Sequence, residues 1–400
     1  MAKIFFFNIP AYGHVNPSLP VVTELVRQEH HICYYNAESF ESVIKNTGAE
    51  FRAYPDSTST EAEFASRINN LASVTLFLLE VSIHLLSFVL GELDREKPDL
   101  VIFDALALWG MQTARLRKIP SIASIGLLVQ EGVSGLLTWR DYLHIIRQAL
   151  PNLPPLLRRR WQLVRTYGPD IFPNKAIMPC TGDLTIVYTS REFQPDTSFI
   201  NDSFRFVGPS ILRCSRPKTN FPWHLLDPDR PCIYLSLGTL YNVNSTFYQA
   251  VFTAFADHPA QVILAFGRQT NLASLEPIPD NFIVQPAVPQ LELLSKVDLF
   301  ITHGGMNSIS EGLYYGVPLV VVPQQIEQAL NGRQVARHGA GIVLADKLPY
   351  GYIKADVLRH AVDQVLADPT YRHKAEQLRD SFVEAGGYQR AVEIITARLA

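Results

Sequence analysis

The chain has 400 residues, a hydrophobic content of 47% and a formal net charge of −3. A single core rarely reaches this length, so two domains are expected. The lack of a basic excess excludes nucleic acid as a partner, and the run Arg158–Arg160 is interpreted as a solvated helix face. The cysteines show no CxxC pair and no metal-ligand spacing, which predicts reduced thiols in a cytoplasmic protein. They are Cys33, Cys180, Cys214 and Cys232.

The first residues and one later segment bear on targeting. The N-terminal apolar run is short and is broken by Asn8 and Pro10, so a secretory signal is not expected. The segment Leu71–Leu93 is long enough to cross a membrane, but Glu80 and His84 stand near its middle. Ionisable groups are costly at that depth. The segment therefore predicts a buried amphipathic helix with Glu80 and His84 paired on one face, and no integral membrane span.

Ten short apolar runs recur along the chain, separated by segments of helical periodicity. Continuous apolar strands that alternate with helices are typical of parallel sheets covered on both faces. The pattern predicts an α/β fold with two doubly wound domains. The first five predicted strands are Lys3–Asn8, His31–Asn36, Asp99–Asp104, Ser121–Gly126 and Leu184–Thr189. The other five are Cys232–Gly238, Gln261–Gly267, Phe282–Ala287, Asp298–His303 and Pro318–Pro323.

A proline-rich stretch separates the two series of strands. Gly208–Pro231 contains five prolines and little periodicity, which is typical of a linker that runs over the protein surface. The predicted first domain is residues 1–212, and the second domain begins at residue 213.

A histidine follows the first predicted strand. Asn16 suits a helix cap and Pro17 the first helical position, so His14 is predicted in the turn just before that helix. The positive end of the helix disfavours the imidazolium form, which leaves His14 able to act as a general base. A plain hydrogen bond to a turn carbonyl is the alternative role.

Asp104 ends the third predicted strand at the same edge of the same sheet. Its carboxylate can accept the Nδ1–H of His14, which fixes the tautomer and stabilises the cation formed on proton uptake. An aspartate that caps the following helix is the alternative. The coincidence of a histidine and an aspartate at two strand ends favours the functional interpretation.

Small and polar residues follow two strands of the second series. After CIYLS, small side chains let a phosphate approach the backbone amides. After FIT, Ser308 and Glu311 have the spacing of a capping box. That motif does not explain His303, Gly304, Gly305 and Asn307. Glycines, an imidazole and a helix N-terminus predict a diphosphate cradle that works without a metal, because no cluster of carboxylates is present.

Glu327 and Gln328 stand in the next strand-to-helix loop. Polar residues at a helix start need no special cause. Beside a diphosphate site, however, a carboxylate and an amide can bind the hydroxyl groups of a sugar.

In order and spacing, essentially the whole chain resembles the family 1 nucleotide-sugar-dependent glycosyltransferases, especially their bacterial macrolide-glycosyltransferase subgroup. The resemblance rests on GHVNP near the N-terminus, Asp104, SLGT and the block Val288–Gln328. The family implies a GT-B fold, in which two Rossmann-like domains with doubly wound parallel sheets face each other across a cleft. It also implies that the second domain ends at residue 385 and that residues 386–400 form a helix crossing back to the first.

The resemblance implies a role for each matched residue. His14 is expected to be the base that deprotonates the acceptor, with Asp104 as its orienting partner. The residues expected to hold the diphosphate are Ser236, Gly238, Thr239, His303, Gly305, Asn307 and Ser308. The other expected contacts are Gln290 and Glu311 with the ribose, the Val288 backbone with the base, and Glu327 and Gln328 with the donor sugar.

One position departs from the family. An aromatic residue often stands two positions before the PQ pair and stacks on uracil, whereas this chain has Ala287 there. By analogy with other base–aromatic contacts, its loss weakens base binding by about 1–3 kcal/mol. The choice between UDP and dTDP donors therefore stays open.

The expected activity is inverting transfer of a hexose, glucose from UDP-glucose, to a hydroxyl of an apolar small molecule that is phenolic, flavonoid or macrolide-like. No cofactor and no metal are expected. Leu71–Leu93 and Leu127–Trp139 either line the acceptor pocket or are plain core. The alternatives are a nucleotide-sugar epimerase or hydrolase on the same fold, and a non-catalytic nucleotide-sugar binder. His14 and Asp104 argue against the binder, because binding a donor needs neither.

Overall fold

The computed structural model describes most of the chain as two compact units. The units are Met1–Ser215 with Ala385–Ala400, and Arg216–Glu384. The described residues are 1–55, 71–129, 136–172, 180–212, 219–238, 245–267, 277–347 and 350–399. Some residues named in the sequence analysis lie outside these ranges. They are Thr239, Cys214 and residues 130–135 of the segment Leu127–Trp139.

The first unit contains a seven-stranded sheet in which all neighbouring strands are parallel, in the order β3-β2-β1-β4-β5-β6-β7. The strands are β1 Lys3–Phe7, β2 His31–Asn36, β3 Glu50–Ala53, β4 Leu100–Asp104, β5 Ser121–Ile125, β6 Leu184–Val187 and β7 Phe204–Phe206. The helices are α1 Tyr12–Arg27, α2 Glu41–Lys45, α3 Leu71–Glu96, α4 Leu108–Arg117, α5 Trp139–Ala149, α6 Leu153–Tyr167 and, at the end of the chain, α13 Gly387–Leu399.

Hydrophobic cores cover both faces of this sheet, because successive residues of a strand point to opposite sides. Phe5 and Phe7 of β1 belong to a core cluster with α3 and α4. Ile4 and Phe6 belong to a second cluster with α1 and α13. A strand that is buried on both faces has no polar side, which is why these strands read as continuous apolar runs.

The long helix α3 packs against α4, α5 and α6. Ala72–Glu96 is long and apolar enough to cross a membrane, and 56% of its most apolar window is buried inside the protein. Buried core helices have the same composition. Glu80 of this helix accepts a hydrogen bond from Arg159 of α6 at 3.3 Å, rather than pairing with His84 as predicted.

The second unit contains a six-stranded parallel sheet in the order β10-β9-β8-β11-β12-β13. Its strands are β8 Cys232–Ser236, β9 Gln261–Ala265, β10 Phe282–Gln285, β11 Leu299–Thr302, β12 Leu319–Val321 and β13 Gly341–Val343. Its helices are α7 Ser245–Phe255, α8 Gln290–Leu293, α9 Met306–Tyr314, α10 Ile326–Arg337, α11 Ala355–Ala367 and α12 Pro369–Glu384.

The prediction of two doubly wound parallel sheets is confirmed, and each of the ten predicted strands is present. Three further strands were missed: β3, β7 and β13. Each lies at the edge of a sheet and is only three or four residues long. Edge strands are covered less completely than central ones, so EFRA, FRF and GIV lack the continuous apolar pattern that marks the others.

Candidate functional site

The order of the strands reverses once in each sheet. β1 and β4 are neighbours although the chain passes through β2 and β3 between them. β8 and β11 are neighbours in the same way. Ligands of open parallel sheets bind outside the carboxyl ends of the strands at such reversals. His14, Asp104, Ser236 and His303 follow or end these four strands, whereas Gln290 follows β10 and Glu327 follows β12.

His14 lies in the first turn of α1, not in a turn before the helix as predicted. The helix begins at Tyr12 with Ala11 as its N-cap, and the amides of His14 and Val15 both donate to the Ala11 carbonyl, at 2.9 and 3.0 Å. Pro17 is inside the helix. A proline inside a helix costs one backbone hydrogen bond and its ring presses on the carbonyl four residues earlier. Helix α1 nevertheless includes Pro17 and Pro20, so Pro17 does not mark the helix start.

His14 and Asp104 are joined by a hydrogen bond. Nδ1 of His14 lies 2.8 Å from Oδ2 of Asp104, whose side chain is 3% exposed. The other oxygen, Oδ1, accepts the Leu106 amide at 2.8 Å. A carboxylate can only accept here, so the proton is on Nδ1 and Nε2 is the basic nitrogen. The alternative role for Asp104 is not observed, because Ala107 is the N-cap of α4.

Asn8 was not identified from the sequence, although it holds this turn in place. It is buried, and its Nδ2 donates to the His14 carbonyl at 3.1 Å and to the Tyr34 hydroxyl at 2.8 Å. Ser18 also hydrogen-bonds the Tyr34 hydroxyl, at 2.7 Å. Asn8 could have been identified because it is a polar residue directly after the apolar run KIFFF, at the carboxyl end of a strand, where ligands bind.

A trio of possible metal ligands lies at the amino ends of two strands of the first sheet. His31, Cys33 and Glu50 have ligand atoms within 4.8 Å of one another, and His31 and Glu50 begin β2 and β3. Glu50 already binds Arg52 at 2.7 Å, and burial raises the pKa of the Cys33 thiol to about 12. His14 and Asp104 lie at the carboxyl ends of the strands, so this trio is not part of their site. The expectation that no metal is required stays a prediction.

In the second unit, His303 follows β11 and its imidazole is enclosed by two glycines. A Cβ atom at Gly238 would lie 2.5 Å from Cε1 of His303, and one at Gly305 would lie 2.6 Å from Nε2. Side chains do not approach this closely. The sequence pattern predicted that these glycines admit a ligand to the backbone; the structure shows that they also make room for the histidine ring.

The capping box predicted for α9 is wrong. The N-cap is Gly305, without a side-chain cap, and Ser308 is the third residue of the helix. Ile309 donates to the Gly305 carbonyl at 3.1 Å, so the N-cap lies three residues before Ser308. The amides of the first turn, Met306 to Ser308, therefore begin the helix beside His303. A helix N-terminus of this kind attracts anions.

Glu311 takes part in a chain of side-chain hydrogen bonds instead of a cap. Its Oε2 accepts from Nε2 of Gln290 at 2.6 Å, and Oε1 of Gln290 accepts from the Tyr234 hydroxyl at 2.8 Å. The structure thus brings together the two residues expected at the ribose. Tyr234 was not identified from the sequence, where it reads as one more apolar residue of β8.

Asn331 joins the two loops expected at the diphosphate and at the sugar, and it too was missed. It is buried, and its Nδ2 donates to the Gly304 carbonyl at 3.0 Å and to Oε1 of Glu327 at 2.6 Å. Gln328 is also buried, and its Oε1 accepts the Gln324 amide at 2.8 Å. For a sugar hydroxyl, Nε2 of Gln328 is the donor that the side chain offers.

The remaining predicted residues lie in the loops around β8 and β10. Ser236 ends β8, and its Oγ accepts the Gly238 amide at 3.2 Å. Val288 is half-buried in the loop between β10 and α8. Thr239 lies outside the described residues. Ser236, Gly238, His303 and Gly305 are therefore brought together at the reversal between β8 and β11.

His303 is neutral at ordinary pH. Burial lowers the pKa of its imidazole to about 4, although the nearby backbone of Ser236 acts to raise this pKa. A neutral imidazole carries one N–H donor and one acceptor nitrogen. His303 can therefore donate a hydrogen bond to an anion but does not bring a positive charge.

Acidification is expected to lower the free energy of unfolding through His303. In the unfolded chain the imidazole takes up its proton near pH 6.5, whereas in the folded protein it does so only near pH 4. The unfolded state binds more protons between these values, so stability falls as the pH falls from about 6.5 to about 4, by on the order of 3 kcal/mol. Urea unfolding across this window measures the effect.

The matched variants are His303→Gln and His84→Gln, the second at an exposed histidine of α3. His303→Gln is expected to flatten the dependence of stability on pH in this window, and His84→Gln is expected to leave it unchanged. An unchanged slope in His303→Gln would contradict the assignment.

Comparisons with known proteins identify the family of this chain. Residues 249–396 match the family model described as erythromycin biosynthesis protein CIII-like, C-terminal domain. The chain is 34% identical over 395 residues to NDP-glycosyltransferase YjiC of Bacillus subtilis (strain 168), with 98% of this chain and 96% of the relative covered. It is 30% identical over 404 residues to a protein of the same strain named uncharacterized UDP-glucosyltransferase YojK, with 99% and 97% covered.

A solved structure shows the same fold. The crystal structure of the glycotransferase of kitacinnamycin matches with a TM-score of 0.84 and 26% sequence identity, and the match covers 100% of this chain and 99% of that one. The predicted GT-B fold class is therefore confirmed, as is the predicted family. The chain belongs to the bacterial family 1 NDP-glycosyltransferases, in their macrolide-glycosyltransferase-like group, and transfers sugars from nucleotide donors to small-molecule acceptors.

Proposed function

We propose that the protein transfers glucose from UDP-glucose to a hydroxyl group of an apolar small molecule, with inversion at the anomeric carbon, and that it does so in the cytoplasm. The hydrogen bond between His14 and Asp104 carries this proposal, because it prepares a general base at the carboxyl end of the first sheet. The UDP-glucosyltransferase name of the relative YojK supports the donor. The erythromycin-related family model supports a macrolide-like or other apolar acceptor.

In the proposed reaction, Nε2 of His14 takes the proton of the acceptor hydroxyl as its oxygen attacks the anomeric carbon. The bond from that carbon to the diphosphate oxygen breaks on the opposite face, which inverts the configuration. The proton stays on the imidazole, and the Asp104 carboxylate at 2.8 Å stabilises the cation. Asp104 itself is held by the Leu106 amide, so the pair is oriented before substrate arrives.

The leaving diphosphate gains negative charge during this step. The first turn of α9, the loop after β8 and the neutral imidazole of His303 offer N–H donors to it. Donors that are already oriented stabilise developing charge without reorganisation. The proposed diphosphate ligands are Ser236, Gly238, Thr239, His303, Gly305, Asn307 and Ser308.

The other parts of the donor are assigned to neighbouring side chains. We place the ribose hydroxyls at Gln290 and Glu311, whose side chains are hydrogen-bonded to each other. We place the base at the Val288 backbone. Glu327 and Gln328 are assigned to the donor sugar, with Glu327 oriented by Asn331. Among the described residues, the trio of possible metal ligands lies elsewhere, in the first unit. We propose that transfer requires no divalent metal.

Mass spectrometry of the purified protein with a nucleotide sugar and a mixed panel of phenols, flavonoids and macrolides tests this function. The reactions contain a chelator, and UDP-glucose is compared with dTDP-glucose. A hexose mass gain on an acceptor with UDP-glucose supports the proposal. Transfer only from dTDP-glucose would overturn the donor, with Ala287 as the position to examine. Transfer only after divalent metal is restored would overturn the metal-free mechanism.

A further inference from the structure

The outer surface of α5 and α6 is apolar, although it faces solvent. Seven large apolar side chains are between 47% and 69% exposed. Isolated exposed apolar residues are ordinary, but a contiguous group marks an interaction surface. We call this group the apolar strip; its members are Trp139, Leu143, Ile146, Leu150, Leu153, Leu157 and Trp161.

Helical spacing places the members of the apolar strip in one line on each helix. Trp139, Leu143 and Ile146 lie three or four positions apart on α5, so they share one face. Asp141 lies on another face of α5, where it is buried and forms the capping box with Thr138. A surface helix usually turns its apolar face inward and its polar face outward. In α5, a carboxylate is buried while three large apolar side chains are exposed.

The same two helices are strongly basic. Residues 136–167 contain six arginines and one carboxylate, Asp141, in a chain whose formal net charge is −3. Arg159 is paired with Glu80 of α3. Arg140, Arg147, Arg158 and Arg165 are exposed and add positive charge to two helices whose one carboxylate is buried. The six arginines are Arg140, Arg147, Arg158, Arg159, Arg160 and Arg165.

Each tryptophan of the apolar strip has an arginine guanidinium near its ring. The guanidinium of Arg140 lies 5.4 Å from the ring centre of Trp139, and that of Arg165 lies 5.1 Å from the ring centre of Trp161. Tryptophan favours the boundary between apolar and aqueous phases because its ring is large and its N–H is polar. An arginine beside it places a positive charge at the same level.

From these observations we propose that α5 and α6 form a docking surface for an anionic lipid bilayer. Helices with tryptophan and leucine on one face and arginine around it lie in the headgroup region of such membranes. Negative headgroups attract the arginines, while the apolar strip enters the boundary of the acyl chains. A second copy of this chain is a poorer fit, because two surfaces with the same positive charge repel. This surface role goes beyond the proposed sugar transfer and does not depend on it.

Sedimentation of the full-length protein with vesicles tests the proposal. Vesicles of phosphatidylcholine are compared with vesicles of equal parts phosphatidylcholine and phosphatidylglycerol. Binding is expected only to the second kind, with a shift of tryptophan emission to shorter wavelength. Raising the salt from about 0.1 M to about 1 M shortens the Debye length from about 10 Å to about 3 Å and is expected to release the protein.

Two variants separate the apolar and electrostatic contributions. The double variant Trp139→Ser, Trp161→Ser is expected to bind at least roughly tenfold more weakly. In the double variant Arg140→Gln, Arg165→Gln, each lost charge is expected to weaken binding about fivefold. Trp223→Ser, at a partly exposed tryptophan of the second unit that also lies near a cation, Lys296, is the matched control. It is expected to bind like the unchanged protein.

Two further measurements complete the test. Circular dichroism checks that the variants fold, and the molecular mass in solution, measured at several protein concentrations, detects self-association. The replaced tryptophans are 60% or more exposed, so the variants are expected to fold. Equal binding to both kinds of vesicle, or no binding to either, would overturn the proposal. Self-association that disappears in Trp139→Ser, Trp161→Ser, without vesicle binding by the unchanged protein, would overturn it in favour of an interface between copies.

Discussion

Replacing His14 with alanine is expected to lower the rate of sugar transfer by about 10²–10⁴-fold and to leave binding of UDP nearly unchanged. The variant removes the nitrogen that takes up the acceptor proton. The residues assigned to the nucleotide belong to the second unit, whereas His14 belongs to the first. The test measures kcat and KM for transfer, together with the Kd for UDP by calorimetry.

Asp104→Asn is the companion change. The amide oxygen can still accept the Leu106 amide hydrogen, so the turn is expected to survive. The side chain no longer carries the charge that stabilises the imidazolium, and it can present N–H to Nδ1, which reverses the tautomer. We expect kcat to fall with little change in KM. His84→Ala, at an exposed histidine of the same unit, is the control. The assignment of His14 as the base would be refuted by two results together: His14→Ala loses UDP binding, and Asp104→Asn transfers sugar at the rate of the unchanged protein.

Replacing Gly305 with alanine is expected to weaken UDP binding by about 10–100-fold, the effect of losing one or two hydrogen bonds to a charged group. The new Cβ would lie 2.6 Å from Nε2 of His303, so the imidazole would have to leave its position. It has little room toward the loop after β8, because Gly238 also lies so close to the ring that a Cβ there would be 2.5 Å from Cε1. Calorimetry with UDP measures the loss directly.

A double-mutant cycle distinguishes this cause from a general disturbance of the loop. Once His303 is alanine, the ring that clashes with the added methyl group is gone. The further change Gly305→Ala is then expected to cost much less than it does in the unchanged protein. Gly91→Ala is the control, since a Cβ there has nothing within 4 Å of it in the described structure. Additive effects of the two changes, or UDP binding by Gly305→Ala like that of the unchanged protein, would refute the steric explanation.

Local sequence motifs were the least reliable guide to this protein. The spacing of Ser308 and Glu311 predicted a capping box, but the helix begins earlier and Glu311 binds Gln290. Asn16 and Pro17 predicted a helix start, yet α1 already includes His14. Both motifs describe a few residues in isolation. The position of a helix end depends on where the preceding strand delivers the chain, which no local motif contains.

Patterns that involve whole strands were more reliable, because burial on both faces of a sheet requires an unbroken apolar sequence. That requirement predicted ten strands, nine of them inside the sheets and one, β10, at an edge. Through parallel pairing it also predicted the meeting of His14 and Asp104 at the carboxyl ends of their strands. Three short edge strands, β3, β7 and β13, were missed, since a strand with one neighbour is buried less completely. β3, for example, has no fully buried residue.

By itself, the sequence determined the α/β class, the two parallel sheets, the family and the strand ends at which polar residues gather. These properties follow from burial, because each buried segment requires apolar residues and can therefore be identified from its own composition. Only the tertiary structure decided which side chains meet: Asn8 with His14, Asn331 with Gly304 and Glu327, and the ring of His303 between two glycines. It also decided that the apolar face of α5 points outward. Such contacts join residues far apart in the chain, and their distances exist only once the elements have packed.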